Sequence, residues 1–165
     1  MLERGRSPLG LGASQAARLL ALLLPLALLA AALGSQYVGG LAPCEMCYWQ
    51  RWAHGAALPF AALAFSAPAS SRRARSLTLL AAAAIAVSGA IGVYHAGVEL
   101  GIFEGFTACT AGGALSLEDI MNTPLVRCDE VQWSFLGISM AGWNAIISLS
   151  GAALVALLAS KGRSA

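Results

Sequence analysis

Charged residues are missing from four long stretches of the chain: between Arg18 and Glu45, Arg51 and Arg72, Arg75 and Glu99, and Glu130 and Lys161. Each gap can hold the roughly 20 apolar residues that let a helix cross a hydrocarbon core about 30 Å thick. The pattern predicts helices over 17–37, 47–66, 76–97 and 138–160. The expected fold is an all-α membrane protein, a four-transmembrane-helix bundle with two outward-facing loops, forming one integral-membrane domain over 1–165. Residues 1–16, rich in Gly, Ser and Arg, read as a short tail. Gly39, Gly40 and Pro43 disfavour helix and predict a tight turn between the first two spans. Pro59 falls inside the second span, where a kink is expected. Residues 98–137 make the one connection long enough to reach a soluble partner, and Ser116 is placed to cap a short helix over 116–121. The 18 glycines and the alanine run at 81–84 permit close helix approach.

Composition agrees with this reading. The chain has 165 residues, 58% hydrophobic and 11% charged, which is too apolar for an ordinary water-soluble domain of this size. The charges also separate by side. With four spans both termini share one side, which holds Arg4, Arg6, Arg18, Arg72, Arg73, Arg75, Lys161 and Arg163 against the single acid Glu3. The other side holds Arg51 and Arg127 with seven acids, among them Glu45, Glu99, Asp129 and Glu130. The positive-inside rule assigns the basic side to the cytoplasm. Cys44, Cys47, Cys109 and Cys128 then face outward, into a bacterial periplasm, where disulfides persist. A cleaved signal peptide ending near Ala30-Ala31-Ala32 is the competing reading of the N-terminus, but it leaves three spans and places the basic loops awkwardly. The net charge of +2 comes from two opposed sets and does not indicate a nucleic-acid partner.

The candidate chemistry lies in Pro43-Cys44-Glu45-Met46-Cys47-Tyr48-Trp49-Gln50-Arg51. A cysteine pair three residues apart is suited to redox cycling, and the start of a helix favours a thiolate. Arg51, four residues after Cys47, adds positive charge on the same face. Two cysteine pairs joined by an open path can pass two electrons in sequence by thiol–disulfide exchange. The acceptor suited to this position is a membrane quinone, with Arg51 stabilising the charge that develops on a carbonyl oxygen. Blander readings stand beside this one. Cys44 and Cys47 could be half a zinc site, although no ligand histidine is near in sequence and the second pair is widely spaced. Cys109 and Cys128 could simply staple a loop. Arg51 could be an interfacial snorkelling residue among Tyr48, Trp49 and Trp52. His54, one turn beyond Arg51, reads first as a helix–helix hydrogen-bonding residue. His95, at the outer end of the third span with Glu99 four residues on, lies at the level of the dithiol and is a candidate to bond a quinone or relay protons.

Taken together, the four spans, Pro43-Cys44-x-x-Cys47-x-x-Gln50-Arg51, Phe106-Thr107-Ala108-Cys109, and the stretch from Cys128-Asp129-Glu130 through Gln132-Trp133-Ser134-Phe135-Leu136-Gly137 to Met140 and Trp143 resemble the DsbB family of disulfide bond formation proteins. The resemblance covers most of the chain. It implies a protein-disulfide:quinone oxidoreductase of the bacterial inner membrane that reoxidises DsbA, a soluble thioredoxin-like oxidase, and passes two electrons to ubiquinone or menaquinone. It further implies that a partner thiolate attacks Cys109, that Cys128 engages Cys44, that Cys47 faces the quinone, and that Arg51 and His95 lie at the quinone. The chain departs from the family pattern in a shorter Cys109 to Cys128 segment and in Gln50, where Glu is common. A dedicated partner, as in the DsbI branch, is the variant reading. A vitamin-K-epoxide-reductase-like oxidase would carry its second pair N-terminal to the quinone-linked motif, unlike this chain. A carrier of reductant from the cytosol would need cysteines on the basic side. A nonenzymatic scaffold with two stable disulfides is the alternative from a different class.

Overall fold

The computed structural model describes residues 12–105 and 126–161. Four helices account for most of them. Helix α1 spans Ala13–Tyr37, α2 Glu45–Leu63, α3 Arg72–Glu99 and α4 Met140–Lys161. Cys109 and the short helix expected over 116–121 lie outside the described residues.

Local chemistry sets the helix ends. The chain leaves α1 through the Val38 and Gly39 amides, both bonded to the Gly34 carbonyl at 2.9 and 3.1 Å, and turns at Gly40, whose φ of 70° lies in the left-handed region. A side chain at Gly39 would place its Cβ 2.6 Å from the Ser35 carbonyl oxygen, so this turn demands glycine twice. Helix α2 starts two residues earlier than expected because Cys44 is its N-cap, the sulfur accepting the Cys47 amide. It ends in a 3-10 turn, Ala64–Ser66. Arg18 of α1 ties down that end, donating to the carbonyls of Ala64 at 3.1 Å and Ala67 at 3.0 Å while stacking over Phe65. Ser71 caps α3 by accepting the Ala74 amide at 3.1 Å.

Before α4 the chain forms a two-residue hairpin. Ser134–Phe135 pairs antiparallel with Ile138–Ser139 around Leu136 and Gly137, both at positive φ. That is the type I′ geometry that matches strand twist. Trp143 of α4 donates to the Phe135 carbonyl at 3.1 Å and holds the hairpin against the helix.

The bundle keeps its small side chains inside. Ala21, Ala57, Ala61, Ala81, Ala82, Ile85, Ala152 and Val155 form the central cluster. At Gly92 a Cβ would sit 3.0 Å from both the Ala141 carbonyl oxygen and the Ala145 nitrogen, so α3 and α4 meet backbone to backbone. Large apolar residues such as Leu23, Leu33, Val87, Leu154 and Leu157 point outward. Helices α1, α3 and α4 are long and apolar enough to cross a membrane. Helix α2, expected as a fourth span, is not among them, because its 19 residues carry Glu45, Gln50, Arg51 and His54. The polarity that costs α2 its hydropathy builds the site described next.

Candidate functional site

The start of α2, the end of α3 and the start of α4 meet at one end of the bundle. A second buried cluster forms there from Cys44, Met46, Val98 and Cys128. An N-cap side chain normally reaches the amide three residues on, and Cys47 occupies that position. The Cys47 amide lies 3.4 Å from the Cys44 sulfur, and the two sulfurs are 3.0 Å apart, both as thiols. The cap thus aligns the dithiol before any bond forms. Cys44 donates its hydrogen to Cys47, and this bond, with burial, pushes the Cys44 thiol above its ordinary range.

Other groups converge on the same sulfur. His95 Nε2 lies 3.5 Å from the Cys44 Sγ. The donor atoms of Cys44, His95 and Cys128 all fall within 4.8 Å of one another, and all three residues are buried. Among the described residues this group has the donor set for a soft metal ion such as zinc. The same proximity is what exchange between Cys44 and Cys128 requires. Glu99 approaches the same His95 Nε2 to 3.8 Å and accepts the Ser139 hydroxyl.

A cavity of about 770 Å³ opens beside the dithiol. Leu28, Leu29 and Ile147 supply apolar wall, and Cys47, Arg51 and His95 are among its polar lining. Arg51 donates to the side-chain oxygen of Gln36 and, at 3.1 Å, to the Ala32 carbonyl, with the Tyr48 ring 5.6 Å away. Among the described residues no carboxylate pairs with Arg51, and its charge favours the thiolate of Cys47. Arg127 and Glu130 also line the cavity. At the protein surface Arg127 holds the Asp129 carboxyl below its usual range by a 2.9 Å hydrogen bond.

The structure therefore brings Cys44, Cys47, Arg51 and His95 to one cavity and packs Cys128 against Cys44 and His95, while Cys109 lies outside the described residues. His54 bonds Asn144 and Ser148 of α4, the helix–helix hydrogen-bonding role expected of it first. Sequence reading gave no role to Asn144, Ser88 or Ser148, which complete a buried polar network with Gln50. The available signal was spacing. Met46, Gln50 and His54 recur at four-residue intervals on the buried face of α2, and Asn144 and Ser148 do so on α4.

These features define a helical-bundle protein with a paired dithiol at one end. Comparison with known proteins sharpens the class. The family model for disulfide bond formation protein DsbB matches residues 14–158. Disulfide bond formation protein B of Methylococcus capsulatus (strain ATCC 33009 / NCIMB 11132 / Bath) is 36% identical over 140 residues, covering 79% of this chain and 85% of the relative. The protein of the same name from Azoarcus sp. (strain BH72) is 32% identical over 148 residues, covering 83% and 86%. The chain belongs to the DsbB family of disulfide bond formation proteins. No solved structure matches it.

Proposed function

We propose that this protein is a protein-disulfide:quinone oxidoreductase that reoxidises a DsbA-like periplasmic thiol oxidase and passes two electrons to ubiquinone or menaquinone. The observation that carries the reading is the Cys44–Cys47 dithiol, with sulfurs 3.0 Å apart, opening onto a largely apolar cavity of about 770 Å³ that also holds Arg51. Family membership supports disulfide chemistry; the cavity supports the quinone. Its volume falls in the roughly 300–1,000 Å³ range of small-molecule sites, and a mostly apolar wall with Arg51 and His95 at its edge suits a flat ring with two carbonyls.

The bilayer placement belongs to the same proposal. Helix α2 is the fourth span, admitted because Gln50 and His54 find partners inside the bundle and Arg51 bonds to α1. Both termini are cytoplasmic and all four cysteines periplasmic, which is supported by the basic residues at the opposite end and by the compartment in which disulfides persist.

The exchange steps balance as follows. A partner thiolate attacks Cys109 in a Cys109–Cys128 disulfide, and the electron pair leaves on Cys128. The Cys128 thiolate attacks Cys44 of a Cys44–Cys47 disulfide, forming Cys44–Cys128 and releasing Cys47 as thiolate. When bound, the quinone supplies the sink for two electrons and takes up two protons. Arg51, at the cavity wall, would hold a carbonyl oxygen and stabilise the charge that develops there. His95 lies beside both sulfurs. The partner's second thiolate attacks the partner's own sulfur in the mixed disulfide and releases Cys109, whose thiolate attacks Cys128 and frees Cys44; Cys44 and Cys47 then re-form their disulfide as two electrons leave for the quinone.

The test mixes detergent-solubilised protein with a reduced DsbA-like partner and ubiquinone, following quinone absorbance and partner thiols together. Equal loss of both is expected, abolished in Cys44→Ala and in Cys47→Ala. Turnover retained in either variant would refute the proposed path. Absence of turnover with ubiquinone directs the same assay to menaquinone, and failure with both favours the scaffold reading.

A further inference from the structure

Buried polar side chains between apolar helices must satisfy one another, and here they do so in a fixed order. Helix α2 contributes Gln50 and His54, α3 Ser88 and His95, and α4 Asn144 and Ser148, each with hydrogen-bond partners on a neighbouring helix. Two backbone carbonyls, which can only accept, set the direction. The Asn144 amide nitrogen donates to the Ser88 carbonyl at 3.2 Å, so its oxygen must face His54 and Ser148, at 3.0 and 2.9 Å. The same nitrogen lies 2.7 Å from the Gln50 side-chain oxygen. Gln50 then presents its own nitrogen to the Met46 carbonyl at 3.1 Å and to His95 Nδ1 at 3.0 Å. His95 Nδ1 must accept. Its proton therefore sits on Nε2, the nitrogen 3.5 Å from the Cys44 sulfur and 3.8 Å from a Glu99 carboxylate oxygen, with the Cys128 backbone a further partner of the ring.

We propose that Gln50 and Asn144 are positioning residues that lock His95 in the Nε2–H tautomer, so that it meets the Cys44 sulfur as a hydrogen-bond donor. The N–H groups of His54, Asn144, Gln50 and His95 form one chain, every donor pointing toward the dithiol, and such chains polarise cooperatively. The chemical use rests on the oxidoreductase reading; the tautomer does not. When a thiolate attacks Cys128 in a Cys44–Cys128 disulfide, the new bond forms to Cys128 and the old electron pair departs on Cys44. The Nε2–H already lies on that sulfur and stabilises the thiolate without transferring a proton. With the opposite tautomer a bare lone pair would face the departing charge.

The protein has 2 histidines, so ¹⁵N-histidine labelling of the full chain in micelles gives a readable spectrum, assigned with His54→Leu. Both imidazoles are expected to be protonated on Nε2 and bare on Nδ1. In Gln50→Met, His95 should become a mixture of tautomers, and exchange at Cys44 with a small dithiol should slow by about tenfold, the order expected for one hydrogen bond to a charged sulfur. Asn144→Leu should shift the His95 signals in the same direction although Asn144 does not touch His95. Protonation of His95 on Nδ1 in the unmodified protein, which needs no variant to fold, would overturn the proposal. So would a spectrum that Gln50→Met leaves unchanged. Failure to reduce quinone, with the Nε2–H tautomer present and sensitive to Gln50, would defeat the oxidoreductase reading and leave this one standing.

Discussion

Replacing Gly92 with alanine tests whether the α3–α4 contact holds the site together. The added Cβ would lie 3.0 Å from the Ala141 oxygen, 3.0 Å from the Ala145 nitrogen and 3.1 Å from the Asn144 side-chain nitrogen. Two of the three are backbone atoms that no rotamer change can move, so the helices must part by several tenths of an ångström. Overpacking of this kind costs about 1–3 kcal/mol. Alanine also gains about 0.5–1 kcal/mol over glycine by helix propensity, which blurs the single measurement. Gly55→Ala in α2 provides the reference, because nothing lies within 4 Å of its Cβ position. The propensity gain is common to both variants, so the difference between them isolates the contact: Gly92→Ala should be less stable than Gly55→Ala by about 1–3 kcal/mol. Reversible unfolding in mixed micelles measures it. Because Asn144 is displaced with the helix, quinone-linked turnover should fall in Gly92→Ala and not in Gly55→Ala. Equal stability of the two variants would refute the close approach of α3 and α4.

Two further substitutions probe separate parts of the molecule. Arg51→Leu should raise the KM for quinone by at least tenfold, with Arg51→Lys recovering only part of the loss, since a point charge cannot serve Gln36, Ala32 and a ligand in one plane; steady-state turnover against quinone concentration reads this out. Leu136, 77% exposed and held at a φ of 53°, contributes strain without packing. Leu136→Asn should therefore stabilise the hairpin by about 0.5–1 kcal/mol, seen as slower hydrogen exchange at Phe135 and Ile138, and faster exchange would contradict the type I′ turn.

Much of this architecture is legible in the chain because the apolar gaps are long and the charges between them few. The α1, α3 and α4 boundaries fall within a few residues of the spans expected over 17–37, 76–97 and 138–160. Helix α2 is the harder case. Its polar residues lower its hydropathy, and only the structure shows that Gln50 and His54 point inward rather than to a polar surface. The dithiol, Arg51 and His95 carry chemistry in their residue types, so they are readable singly. Asn144 and Ser88 are not, because an asparagine or serine in an apolar helix acquires meaning only from the helix it faces. The hairpin escapes prediction for another reason: Leu-Gly is not a recognised type I′ pair, and the leucine tolerates its conformation only because the strands and Trp143 impose it.

A capping side chain is ordinarily a constant of its fold. In this protein the cap of α2 is the Cys44 sulfur, an atom whose valence state changes when it enters a disulfide. In the reduced pair the Cys44 sulfur accepts the Cys47 amide while its own hydrogen goes to the Cys47 sulfur, a sulfur–sulfur hydrogen bond that a disulfide between the two removes. Whatever stabilises the reduced pair makes its disulfide the more powerful oxidant. A thermodynamic appetite for electrons is thus built into the way one helix begins.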